Sequence, residues 1–174
     1  NNKLILGCGN TVFPAELNSI GVGAFLKCNN LTSVVIPMGV DVIEVSAFYY
    51  CKNLTSVTIP KSVHLIDWYA FNLCDNLSNV YIESIEAWCG IIFPGSHALF
   101  EKAESIYLNG DLMTEAIIPS TVTSIGYYAF NSCRNLHSVV IGESVTSIGW
   151  AAFYDCEGLT SIVCKAITPP MIAD

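Results

Sequence analysis

Apolar residues recur along this chain at an offset of 23 positions, with polar residues in the same gaps each time. One slot holds Phe25, Phe48, Phe71, Phe130 and Phe153, and the slot three residues later holds Cys28, Cys51, Cys74, Cys133 and Cys156. Leu31, Leu54, Leu77, Leu136 and Leu159 follow, then Val34, Val57, Val80, Val139 and Ile162. Two residues further on stand Ile36, Ile59, Ile82, Ile141 and Cys164. The third interval is 59 residues, so an irregular segment separates Leu77 from Leu136. Such a period marks a stacked array, in which each unit buries its apolar side only against its neighbours.

Within a unit the pattern predicts three parts. Apolar pairs such as Leu17/Ile20 and Val40/Ile43 turn the chain toward the convex side. A short helical turn follows at Ala24-Phe25, Ala47-Phe48 and Ala70-Phe71, with Phe and Cys three apart on one face. A short strand closes the unit at Ser33–Ile36, Ser56–Ile59 and Asn79–Ile82, where alternation sends Val34 and Ile36 inward and Ser33 and Val35 outward. Asn30, Asn53, Asn76, Asn135 and Gly158 precede the Leu slot, and these residue types predict a left-handed backbone there. Pro37, Pro60 and Pro119, which lack a ladder donor, mark strand ends.

Two stretches depart from the rule. Residues 3–13 read as an opening hairpin. From Glu83 to Pro119, Ser84 is expected to cap a helix over Ile85–Cys89, and Ser96 another over His97–Ala103, with Phe100 replacing the repeat Phe. Asn109-Gly110 between Ser105–Leu108 and Leu112–Ile118 predicts a second hairpin. The whole is a single domain over 1–174. It divides into an opening hairpin (1–16), regular repeats (17–82), an irregular insert with a hairpin (83–119), regular repeats (120–166) and a truncated end (167–174). The start in mid-motif and the lack of a polar terminal cap suggest a piece of a longer protein.

Composition narrows the functional classes. The net charge is -8, with 7 basic and 15 acidic residues and no basic cluster, which argues against nucleic-acid backbones and anionic membranes as partners. No apolar run approaches the roughly 18 residues of a spanning helix. Five of the eight cysteines share one inward slot, which reads as buried free thiols acting as small apolar fillers. Disulfides between neighbouring units are the alternative and need Cα separations of about 4.4–6.8 Å. No C-x-x-C pair points to zinc. His137 and His64 occupy slots otherwise filled by Thr, Ser or Asp. No phosphate loop, metal motif or nucleophile elbow is present, so neither catalysis nor a cofactor is expected.

The pattern V-x-x-I-G-x-x-A-F-x-x-C-x-x-L-x-S-V-x-I-P, at Val122–Ile141 and Val145–Cys164 and with drift at Leu17–Pro37 and Val40–Pro60, resembles the bacterial leucine-rich repeats of the BspA type. Ala87 to Ile91, continuing through Leu108-Asn109-Gly110, is similar to an insert common in such proteins. The resemblance implies an α/β solenoid. It would be a right-handed superhelix of 23-residue units with a mostly parallel concave sheet and short helices or 3-10 turns outside. It further implies a secreted or cell-surface protein tied to adhesion and protein binding. Glu83, Gly142 and Lys165 in the Pro slot, and Glu44 and Asp67 in the Gly slot, depart from the pattern.

Two surfaces are candidates for binding. Outward strand positions, Ser33, Val35, Ser56, Thr58, Asn79, Tyr81, Ser105, Tyr107, Ser138 and Val140, with Ser161 and Val163 beyond, are expected to line one concave ribbon. Eight rungs would give it a length of about 33 Å. Its hydroxyls and two tyrosines suit an extracellular protein partner or a strand of sugar. On the convex side Trp68, Tyr69, Tyr127, Tyr128 and Trp150 form an aromatic stripe that could stack on glycan rings or cover gaps between turns. A protein-binding module, a structural stalk and a glycan-binding surface are therefore the three functional readings.

Overall fold

The computed structural model describes residues 3–4, 13–14, 16–94 and 103–173. In chain order the elements are β1 (Lys3–Leu4), β2 (Ser19–Ile20), β3 (Ser33–Val35), β4 (Val42–Ile43), β5 (Ser56–Ile59), β6 (Leu65–Ile66), β7 (Asn79–Ile82), α1 (Ile85–Cys89) and β8 (Ser105–Leu108). They continue with β9 (Asp111–Leu112), β10 (Glu115–Ile117), β11 (Ser124–Ile125), β12 (Ser138–Ile141), β13 (Ser147–Gly149), β14 (Ser161–Cys164) and β15 (Met171–Ala173). Each regular unit contributes one long and one short strand, so the solenoid has two strand columns. The long column is β3-β5-β7-β8-β9 and then β10-β12-β14, and the short column is β1-β2-β4-β6 and then β11-β13-β15. Every pairing is parallel except β8 with β9.

The 23-residue offset becomes the register. Ser33 pairs with Ser56 and Ser56 with Asn79, and across the insert Asn79 pairs with Ser105, 26 residues on. Neighbouring backbones in such ladders lie about 4.8 Å apart. That spacing stacks the Phe slot: Phe25 and Phe48 have ring centroids 4.8 Å apart, and Phe48 and Phe71 4.9 Å. Phe130 and Phe153 continue the stack beyond the insert at 5.3 Å. The Leu and Val/Ile slots fill the rest of the core up to Ile141, while in the last unit Leu159 is partly buried and Ile162 is exposed.

The third side of each unit is a tight turn. In 21–28 the N–H groups of Ala24, Leu26 and Cys28 bond three residues back, while those of Gly23, Phe25 and Lys27 bond Val45, Ala47 and Tyr49 of the next unit. The alternation leaves no continuous helix. α1 is the one α-helix among the described residues, capped as expected by Ser84, whose Oγ accepts the Ala87 N–H. Residues two before and two after each Phe take φ near +60°: Gly23 and Lys27, Ser46 and Tyr50, Tyr69 and Leu73. At Gly23, Lys27, Ser46 and Tyr50 this turns the N–H toward the neighbouring unit.

The expected left-handed slot is therefore misplaced. Asn30, Asn53, Asn76, Asn135 and Gly158 all have negative φ. The Asn side chain works instead as a tie. Asn53 Nδ2 donates to Asn29 O at 2.8 Å and Asn76 Nδ2 to Lys52 O at 2.6 Å, each in the preceding unit.

The ends and the insert also differ from expectation. The described part of the opening hairpin, Lys3–Leu4, pairs in parallel with β2 as a rung, and residues 5–12 lie outside the described residues. So does nearly all of the helix expected over His97–Ala103. Met171–Ala173 adds a parallel rung beside β13. In the insert, β9 runs back along β8 as far as Met113, whose N–H bonds Ile106 O. A bend at Thr114 separates it from β10, which joins β12 in parallel. The eight-rung ribbon is thus divided into a five-stranded and a three-stranded sheet.

Candidate functional site

The outward face of the long column carries two rows in exact parallel register. One is Ser33, Ser56, Asn79 and Ser105, resumed by Glu115, Ser138 and Ser161. The other is Val35, Thr58, Tyr81 and Tyr107, then Leu112 across the hairpin, resumed by Ile117, Val140 and Val163. The first row is polar. The second is largely apolar yet solvent-facing: Val35 is 65% exposed and Ile117 59%. Tyr81 and Tyr107 stack at 4.6 Å with a 20° interplanar angle, because parallel register puts them side by side.

One predicted member leaves this surface. Ser105 is only 9% exposed, and its Oγ accepts the Asn135 amide at 2.8 Å. Asn135 reaches it from 30 residues further along, across the insert, and also donates to Glu104 O. Ile117, Leu112 and Glu115 were missed because Leu112–Ile118 reads as a hairpin arm. The signal was present: Met113-Thr-Glu-Ala-Ile-Ile-Pro119 repeats the spacing of Leu31–Pro37.

The cysteine slot holds free thiols. Cys28, Cys51, Cys74 and Cys133 are buried and Cys156 partly so. They do more than fill space, since Cys51 Sγ donates to Phe25 O at 3.0 Å, Cys74 Sγ to Phe48 O at 3.1 Å and Cys156 Sγ to Phe130 O at 2.9 Å. A thiol at this slot is small enough for the core and still ties each unit to the one before. Burial pushes the Cys89 thiol up to about 12 and Cys156 to about 11, so both stay protonated at neutral pH and are poor nucleophiles. Iodoacetamide added to the folded protein at pH 8 is expected to modify the exposed Cys164 well before Cys28, Cys51, Cys74, Cys89 or Cys133, as read by peptide mass mapping. Equal rates would contradict this packing.

On the turn side, Trp68 is 42% exposed and Trp150 51%. Trp150 belongs to a cleft. Ile91–Pro94, Ser124–Tyr128, Ser147, Gly149 and Trp150 enclose a cavity of about 540 Å³ where the short column is interrupted. Tyr128 packs edge-on against Trp150 at 5.4 Å. His64 Nδ1 pairs with Asp41 on the exposed short-strand side. No group of three or more His, Cys, Asp and Glu poised for a metal occurs among the described residues. No helix among them is long and apolar enough to cross a membrane.

A family model for the BspA type leucine rich repeat region matches in six copies, over residues 7–98 and 103–168. The chain belongs to this family. BspA-type repeats point to a protein-interaction or surface role and are generally non-enzymatic, and the family is typically extracellular or at the surface. Among solved structures, a leucine-rich repeat protein of T. pallidum is 24% identical with a TM-score of 0.55, covering 84% of this chain and 63% of its own. One from Bacteroides ovatus is 25% identical, TM-score 0.46, covering 84% and 40%. A leucine rich cell surface protein from Faecalibacterium prausnitzii is 21% identical, TM-score 0.44, covering 87% and 52%. The chain thus spans less than two thirds of each of these proteins. No curated protein matches it.

Proposed function

We propose that this BspA-type array is an extracellular protein-binding module whose partner lies on the outward face of the long strands. The observation that carries the reading is the solvent-facing apolar row, with the stacked Tyr81–Tyr107 pair between Thr58 and Leu112. Tyrosine pairs of this kind supply large contact area at low entropic cost and are favoured interface anchors. The neighbouring polar row, Ser33, Ser56, Asn79 and Ser138, offers hydrogen-bonding groups, with the Glu115 carboxylate, held by Ser138 Oγ at 3.1 Å, as its one fixed charge among the described residues.

A charge scan tests the proposal. Extracellular-matrix proteins are immobilised and the wild-type protein is compared with Thr58→Lys, Ile117→Lys and, on the opposite side, Thr123→Lys. The expected result is capture of at least one matrix protein, weakened about tenfold or more by the first two substitutions and unchanged by the third. Equal loss from all three, or from none, would remove the long-strand face as the site.

A further inference from the structure

The cleft beside the insert is separate from that face and has its own chemistry. Its floor is made of small residues. Ser124 and Ser147 stand where earlier units carry Val42 and Leu65, and Gly126 and Gly149 stand where they carry Glu44 and Asp67. The glycines are held small by the fold. A Cβ on Gly149 would lie 2.4 Å from Tyr127 N, and one on Gly126 2.9 Å from Ile91 O. Above this floor stand the rings of Tyr127 and Trp150, with Tyr128 packed against the indole. Among the described residues that line the cleft none is charged.

We infer that this cleft binds a neutral saccharide of two or three sugar rings. A pyranose presents an apolar C–H face, which an indole or phenol ring can cover, and a rim of hydroxyls, which serine Oγ atoms can bond. Ser124 and Ser147 are outward-facing members of β11 and β13 and line the cleft. A charged sugar or phosphate would enter with no counter-ion, at a desolvation cost. A cavity of about 540 Å³ falls in the usual range for small-molecule sites. Trp68 and Tyr69, the other half of the aromatic stripe, follow Asp67 where Tyr127 and Trp150 follow glycine, and they are not part of this cleft.

The test is titration of the 15N-labelled protein with cellotriose, maltotriose and chitotriose, reading the indole N–H signals of Trp68, Trp88 and Trp150. At least one trisaccharide is expected to give a saturable shift at Trp150. The shift should fall at least about tenfold in apparent affinity in Ser147→Leu, which copies the residue at position 65 and so preserves the rung. Trp68→Ala should leave binding unchanged. The inference is overturned by a flat Trp150 signal with all three sugars. It is equally overturned by undiminished binding in Ser147→Leu, or by saturation with an uncharged apolar peptide such as acetyl-Leu-Phe-amide and with none of the sugars.

Discussion

Replacing Phe48 with alanine is expected to destabilise the protein by about 3–5 kcal/mol, the usual cost of removing a buried aromatic ring. Phe48 is fully buried and sits between Phe25 and Phe71 in the stack. The cost depends on whether the surroundings can close over the vacated space. Here they cannot easily do so. The unit is held to its neighbours by β4 and β5, and by the turn bonds of Ser46, Phe48 and Tyr50 to Trp68, Ala70 and Asn72. Three ladders fix the spacing, so the void persists. Phe153, partly exposed near the last rung, should lose much less on the same substitution. Urea unfolding followed by far-UV circular dichroism measures both. A loss below about 1 kcal/mol at Phe48 would mean that the units slide together and that the ladders are weak.

Trp88→Ala is expected to cost a similar amount, and Trp88→Phe about 1–3 kcal/mol. The indole fills the core where the insert interrupts the Phe stack, packed edge-on against Phe93 at 6.1 Å. It also performs a backbone task. In regular units the N–H groups of Phe25, Phe48 and Phe130 donate to Ala47, Ala70 and Ala152 O of the next unit. Ala129 follows the insert, and its carbonyl receives Trp88 Nε1 at 2.7 Å instead. Phenylalanine keeps most of the volume but leaves that buried carbonyl without its donor. Comparing the two variants by urea unfolding separates packing from hydrogen bonding. A Trp88→Phe variant as stable as wild type would show that Ala129 O finds another donor.

The core was legible because it is periodic. A Phe, Cys, Leu or Ile recurring at 23 residues can only mean a stack, and the slots at Phe25 to Ile59 are buried as read. The backbone detail was not legible, because it follows from contacts between units and not from residue type. The left-handed positions hold residues as unlike as Lys27, Tyr50, Leu73 and Asp155. Their conformation follows from the shape of the repeated turn, which at Lys27 and Tyr50 aims the N–H at the next unit, whereas Asn53 and Asn76, the residues that suggested it, act through their amides. The short strands escaped because two residues such as Val42–Ile43 carry no alternation to detect. Ser105 was misread for a similar reason, since its burial comes from Asn135, far away in sequence. The cleft was half legible. Trp150 stood out as an aromatic, but only the fold brings it beside Ile91–Pro94 above a floor of Ser and Gly.

The most direct test of the central claim is an array of extracellular-matrix proteins and glycans probed with the wild-type protein and with the Tyr81→Ala/Tyr107→Ala double variant, each first shown to be folded. The expected result is a matrix-protein hit that the double variant loses. A hit that survives removal of both rings would contradict it, and so would a folded wild-type protein that captures nothing, which would return the array to the role of a stalk.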